Sequence, residues 1–146
     1  MEKNKLAIDI FILTYNRLSY LKTTIKFLYL STKQPFRLFI IDNGSKDGSR
    51  EYILGLEKQG KVYKHLFNED NQPLAKAYTS CFNKFKDELN EFIITAPDDI
   101  IPPIGLKHDW LEIFIKKMES NKKIGSINFV GARCSYNSFI RRYDTK

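Results

Sequence analysis

The chain is 146 residues long, one domain's worth, with 42% hydrophobic residues and no repeat or low-complexity stretch. Its net charge of +7 is scattered, the nearest grouping being Lys116, Lys117, Lys122 and Lys123 around an expected helix end, where cations suit the macrodipole. A nucleic-acid-binding domain, which needs a grouped basic face with interleaved aromatics, therefore ranks low, and no run approaches the about 20 apolar residues of a membrane span.

In chain order, residues 7–13 (AIDIFIL) are β-rich and mostly apolar, and predict the first strand. Asp9 interrupts that run and no small-residue cleavage site follows, so no signal peptide is expected. Leu18, Leu21, Ile25 and Leu28 follow at helical spacing, with Asn16 in cap position. Residues 38–42 (LFIID) predict a second strand, Asn43-Gly44-Ser45 a turn, and about 48–58 a weaker helix. KVYKHLF (61–67) reads as a strand. Leu74, Ala77, Tyr78, Cys81, Phe82 and Phe85 form a stronger helical stripe behind Asn71 and Pro73. FIITA (92–96) predicts another strand, and Trp110, Leu111, Phe114, Ile115 and Met118 a further helix. IGSINFV (124–130) predicts the last strand, and residues 131–146 follow no clear pattern.

Unbroken apolar runs fit strands buried on both faces, and their alternation with helices predicts an α/β, doubly wound, mostly parallel sheet with helices on both faces. Right-handed crossovers then place every strand's C-terminal end on one edge. If the first three strands run outward in one direction and the fourth sits on the other side of the first, a crevice opens beside strand one, where ligands of such sheets bind. Cys81 and Cys134 lack metal-ligand spacing and read as reduced thiols of a cytoplasmic protein, with the inner face of a membrane as the alternative location.

Three clusters fall at that edge. Asp42 ends the second strand and opens an ordinary turn sequence, Asp-Asn-Gly-Ser; a carboxylate in this place is either a turn-maker or an acceptor for a base or ribose. Asp98-Asp99 follows the fourth strand, and two adjacent hard carboxylates suit Mg²⁺ or Mn²⁺, the alternative being an acid pair ahead of Pro102-Pro103. Thr14-Tyr15-Asn16-Arg17 follows the first strand. Tyr15 offers a flat face for stacking, and Arg17, in a first helical turn where the dipole disfavours a cation, calls for an anion.

Together LTYNR, IDNGSKDGS, N-x-x-LAKA and PDDIIPP, in that order over residues 7–130, resemble the family 2 glycosyltransferases of the GT-A fold. The resemblance implies that 1–146 is a single nucleotide-sugar-binding GT-A domain without most of the acceptor-binding half. Its activity would be transfer of a sugar from a nucleotide diphosphate sugar, a UDP-sugar first, to an unknown hydroxyl acceptor, glycan or lipid-linked. Inversion at the sugar carbon and a divalent cation, Mn or Mg, are implied too. The backbone around Thr14 and the ring of Tyr15 would contact the base, with Asn16 and Arg17 beside them, and Asp42 would accept from it. Asp99 would hold the metal, with Asp98 beside it or nearer the ribose or sugar.

The departures are specific. The family pattern N-x-G-x-x-x-A-R-N here reads Asn71-Gln72-Pro73-Leu74-Ala75-Lys76-Ala77-Tyr78-Thr79, which leaves Lys76 to supply the anion contact. The D-x-D motif is reduced to Pro97-Asp98-Asp99. No catalytic base is identified, since Asp109 reads as an N-terminal helix acid before a core-facing Trp110. The alternative function is a nucleotide-sugar-binding module that does not catalyse, or a half-enzyme completed by a partner chain or a second copy. Dinucleotide dehydrogenases are set aside because TYNRLSY replaces G-x-G-x-x-G. Phospho-acceptor receivers are set aside because the acids follow the second and fourth strands rather than the first and third.

Overall fold

The two most apolar strands, β1 (Ile8–Thr14) and β2 (Phe36–Asp42), lie side by side and parallel at the centre of the computed structural model, which describes residues 8–123 and 132–133. The other elements are α1 (Leu18–Ser31), α2 (Ser49–Lys58), β3 (Lys64–Phe67), α3 (Leu74–Phe85), a 3-10 turn (Lys86–Glu88), β4 (Ile93–Pro97), β5 (Ile100–Ile101), α4 (Trp110–Ser120) and β6 (Ala132–Arg133). The main sheet has the order β3-β2-β1-β4, all parallel. Strand four does lie on the far side of strand one, so the expected switch point is present. The predicted strand at 124–130 lies outside the described residues, as does Cys134.

The chain divides into two compact units: residues 1–21 with 35–98, and residues 22–34 with 99–146. In the first, side chains alternate across the sheet. Phe11, Phe39 and Ile41 face α3 and pack with Ala77, Cys81 and Phe85. Phe11 and Phe39 stack with ring centroids 4.5 Å apart. Ile10, Ile12, Leu38 and Ile40, of opposite parity, are buried as well. The right-handed β2-α2-β3 crossover puts α2 on that second face, where its Ile53 and Leu56 are buried.

Three expectations need correction here. FIITA is not buried on both faces: β4 is an edge strand among the described residues, and Ile93 is 44% exposed. Leu74 is exposed, because α3 buries the Ala77–Cys81–Phe85 line and the first-turn leucine falls off it. The strand predicted over 61–67 pairs only from Lys64, although Tyr63 N–H already donates to Leu38 O at 2.7 Å.

Asp9, which looks like a break in the sequence, is fully buried at the opposite end of β1. It pairs in register with Arg37 of β2, whose Nε and Nη2 meet its two oxygens at 2.7 and 2.8 Å. Asn90 adds two donors, N–H at 2.6 Å and Nδ2 at 2.9 Å. A buried carboxylate with four donors is satisfied, and here it ties β1, β2 and the lead into β4 together.

In the second unit, Asp109 caps α4, its Oδ1 accepting from Leu111 N–H at 2.8 Å, as the sequence leads one to expect. Its other oxygen accepts from the N–H groups of Lys33 and Gln34, past the end of α1. Trp110 is buried, and its Nε1 donates to Thr32 Oγ1 at 2.8 Å. β5 and β6 pair antiparallel.

Candidate functional site

The parallel register brings Thr14 opposite Asp42 at the C-terminal edge of the sheet, and Asp98 follows directly on Pro97 of the neighbouring strand. Two of the three predicted clusters, TYNR and Asp42, are thus joined with Asp98 in one region of the first unit.

Asp42 is 0% exposed. Its Oδ1 accepts from the N–H groups of Gly44 and Ser45 at 2.9 and 2.8 Å, the Asx turn expected of Asp-Asn-Gly-Ser. Gly44 supplies φ of 93° and packs so close to Glu69 and Asp70 that an added Cβ would lie 3.0 Å from their backbone. The Oδ2 atom of Asp42 is buried and has no hydrogen-bond partner. Arg50 approaches only the other oxygen, Nε to Oδ1 at 3.5 Å, while its Nη2 donates to Asn68 O and its guanidinium lies 5.1 Å from the centre of the Phe67 ring. One oxygen makes the turn, and the other is held with no donor to accept from.

The neighbouring Asn43 is also buried and fully committed. Its Nδ2 donates to Asn71 Oδ1 at 2.6 Å and Gln72 O at 2.8 Å; its Oδ1 accepts from Asn68 Nδ2 at 2.8 Å and Gln72 N–H at 3.1 Å. These four bonds latch residues 68–72 to the end of β2. Asn71 therefore does not cap α3, whose first turn begins on Pro73 without a side-chain cap. Lys76 stands exposed in the first turn of α3. Tyr78, where the family pattern has arginine, is turned inward: its hydroxyl donates to Ala96 O at 3.1 Å, and burial holds that hydroxyl's pKa well above the usual tyrosine value.

Asp98 is 2% exposed, with both oxygens engaged. Thr14 Oγ1 donates to Oδ2 at 2.6 Å, and Arg17 Nη1 to Oδ1 at 3.2 Å. Arg17 also lies 4.7 Å from the centre of the Tyr20 ring. The anion that Arg17 calls for at the start of α1 is thus supplied within the chain by Asp98. Thr14 has its carbonyl occupied as well, by Asn43 N–H at 2.9 Å.

Asn16 does not cap α1. It adopts φ of 50°, which Asn tolerates better than most residues, and exchanges bonds with the loop after β2. Its N–H donates to Ser45 Oγ at 2.8 Å, and its Oδ1 accepts from Lys46 N–H at 2.7 Å. Asp47 serves the helix instead: Oδ2 accepts from Leu18 N–H at 2.8 Å, while Oδ1 accepts from the hydroxyl and N–H of Ser49, where α2 begins. These bonds hold the Asp47 carboxyl below the usual carboxylate range against the opposing effect of burial. Tyr15, which follows directly on Thr14, is 40% exposed.

Asp99, next in the chain, falls in the second unit and is half-buried. No cluster of three or more metal-ligating acids, histidines or cysteines occurs among the described residues, so a cation would rest on one or two carboxylates with a ligand's oxygens completing its shell. Asp98 has one donor on each oxygen, from Thr14 and Arg17, and each oxygen keeps a second lone pair. Asp99 fits that role by its chemistry.

Sequence reasoning missed Asn43, Ser45, Asp47 and Arg50. All belong to the run DNGSKDGSR, and the signal was there: a polar run this dense after a buried strand needs internal partners.

Residues 9–145 match the profile described as Glycosyl transferase family 2. An uncharacterised glycosyltransferase of Rickettsia conorii is 27% identical over 133 residues, which cover 91% of this chain and 20% of that protein. A mannosyltransferase of Pyrobaculum calidifontis, solved in complex with GDP-Man and Mn²⁺, aligns with TM-score 0.56 at 15% identity over 66% of this chain and 28% of its own. S. aureus TarS, residues 1–349, in complex with UDP-GlcNAc, aligns with TM-score 0.59 at 16% identity over 79% of this chain and 32% of its own. The chain thus spans about a fifth to a third of the proteins it matches, and the structural likenesses show the fold, which is GT-A.

Proposed function

This chain belongs to glycosyl transferase family 2, and from that premise we propose that it binds a nucleotide diphosphate sugar and serves transfer of the sugar to a hydroxyl acceptor. The observation that carries the reading is the unpartnered Oδ2 of Asp42. A fully buried carboxylate oxygen without a donor costs free energy, and a ring N–H of uracil or guanine would satisfy it once the groups that seal this atom from solvent part to admit the base. The S. aureus and P. calidifontis neighbours hold UDP-GlcNAc and GDP-Man respectively, and a UDP-sugar is the first choice here.

In this reading Tyr15 stacks on the base, while Asn16 and Asn71 keep the two flanking loops in place through their bonds to Ser45, Lys46 and Asn43. Thr14 and Asp98 act mainly by position. Asp98 fixes the guanidinium of Arg17, and Arg17 with Lys76 faces the diphosphate and stabilises its charge as the glycosidic bond breaks. Asp99 would hold a divalent cation, which supplies further neutralisation of the leaving diphosphate. The transfer is a direct displacement with inversion: the acceptor oxygen bonds to the sugar carbon and gives its hydroxyl proton to a general base outside the residues named here, as the bond from that carbon to the diphosphate oxygen breaks and the nucleoside diphosphate leaves. The second reading is binding of the donor without catalysis by this chain alone.

The test is thermal stabilisation by UDP, GDP and CDP with and without Mn²⁺. Ligand at about 100 times its dissociation constant stabilises by about 2.7 kcal/mol. The reading requires a metal-dependent shift for one nucleotide, reduced in both Asp42→Ala and Asp99→Ala. No shift with any nucleotide contradicts it. Release of nucleoside diphosphate in the presence of acceptor then separates enzyme from silent binder.

A further inference from the structure

The chain's positive charge is segregated. Among the described residues the first unit carries ten Lys and Arg against eleven Asp and Glu, and the second nine against four. The excess of positive charge therefore lies in the second unit.

Within that unit, cations and exposed apolar side chains share the same elements. On α1, Lys22, Lys26, Tyr29 and Leu30 are all exposed, with Leu30 67% so. At 3.6 residues per turn these positions span about 100° of the helix surface, with the buried Leu28 turned away from them and the buried Ile25 on the flank beside Tyr29. The loop before α4 exposes Ile104 at 60%, Leu106 at 49%, and Lys107 beside them. The two patches are neighbours, because the Asp109 carboxylate accepts from the N–H groups of Lys33 and Gln34 and Trp110 donates to Thr32. Leu106 precedes Asp109 by three residues and Leu30 precedes Lys33 by three, so each lies within about 11 Å of that clasp.

We propose that this face of the second unit, Lys22, Lys26, Tyr29 and Leu30 of α1 together with Ile104–Lys107, docks on a membrane surface bearing anionic lipid headgroups. Lysines attract the phosphates while aliphatic and aromatic side chains enter the interfacial layer, the pattern of proteins that lie on a bilayer without crossing it. No helix among the described residues is long and apolar enough to cross one. A nucleic acid would use the lysines but gives no reason for exposed Leu30, Ile104 and Leu106. The proposal does not depend on the sugar-donor reading and is tested without nucleotide.

The experiment is co-sedimentation with vesicles of mixed phosphatidylglycerol and phosphatidylcholine, with pure phosphatidylcholine vesicles and a single-stranded oligonucleotide as the other arms. Binding is expected to the anionic vesicles alone, and to weaken as salt rises. The variant Lys22→Glu/Lys26→Glu/Lys107→Glu is expected to lose at least about tenfold in affinity. Leu30→Ser/Leu106→Ser is expected to lose binding at unchanged charge, with thermal melts reporting that each variant is folded. Lys58→Glu/Lys84→Glu/Lys86→Glu, the same charge change on the first unit, is expected to bind within about twofold of the wild type. Any one of three results overturns the proposal: no binding to anionic vesicles at low salt, equal loss from the two lysine variants, or oligonucleotide binding with the serine variant indistinguishable from wild type on vesicles.

Discussion

Thr14 and Asp98, 84 positions apart, meet through a buried hydrogen bond of 2.6 Å from Oγ1 to Oδ2. This bond joins the end of β1 to the residue following β4 and, with the Arg17 contact, fixes the Asp98 carboxylate on both oxygens. Thr14→Val keeps the shape and removes the donor. It is expected to cost about 1–3 kcal/mol, the penalty of an acceptor left unsatisfied, read from the midpoint of urea unfolding at unchanged slope. A change below about 0.5 kcal/mol would show that the hydroxyl is not fixing this carboxylate.

At the other end of the sheet, Arg37 is the main partner of the fully buried Asp9. Its guanidinium also lies 4.5 Å from the centre of the Tyr63 ring and donates to Glu88 O at 2.7 Å. Arg37→Ala strands the carboxylate and is expected to destabilise by about 3–5 kcal/mol. Arg37→Lys cannot reproduce the two-pronged contact and should recover only part of that loss. Denaturant unfolding of the two variants side by side checks the order.

The turn after Asp42 tolerates no side chain at its glycine. Gly44→Ala combines a left-handed backbone, φ of 93°, with a Cβ at 3.0 Å from the backbone of Glu69 and Asp70. The left-handed conformation alone costs about 1–2 kcal/mol. The substitution is expected to exceed this and to weaken nucleotide binding as the Asx turn shifts. A variant with wild-type stability would contradict the close approach.

Burial pushes the Cys81 thiol from its ordinary 9.0 up to about 12. Burial also raises the Tyr78 hydroxyl, and both groups act in the same direction. In the unfolded chain the thiol ionises first as pH rises, so the contribution is fully present below pH 9 and is lost as pH climbs toward about 12. Unfolding midpoints should fall across that window. Mass mapping after native alkylation near pH 8 should find Cys81 unmodified until denaturant is added.

The apolar runs showed β1 and β2 plainly in the sequence, and the helical stripes showed four helices, because periodicity and burial are local properties of the chain. The order β3-β2-β1-β4 was reached only by assuming that the first three strands run outward in one direction and that the fourth lies on the other side of the first. What stayed hidden depended on register and on distant partners. Nothing local says that Asp9 faces Arg37, that Asp98 spends both oxygens on Thr14 and Arg17, or that Asp47 rather than Asn16 meets the start of α1. Asp42 was legible as an alternative between turn and ligand, and only coordinates separate its two oxygens. Among the described residues β4 lies at the edge of the sheet, and its exposure was misread because a half-exposed strand and a buried one share the same apolar letters.

The most direct measurement is calorimetric titration of wild-type protein and Asp42→Asn with the stabilising nucleoside diphosphate and Mn²⁺. With its oxygen placed at Oδ1, the asparagine keeps the bonds to Gly44 and Ser45 N–H and turns the unpartnered acceptor into a donor. The variant should keep its fold yet bind at least about tenfold more weakly, the effect of about 1.4 kcal/mol or more from a lost charge-assisted bond. Equal affinity in the two proteins would contradict the assignment of this oxygen to the nucleotide base.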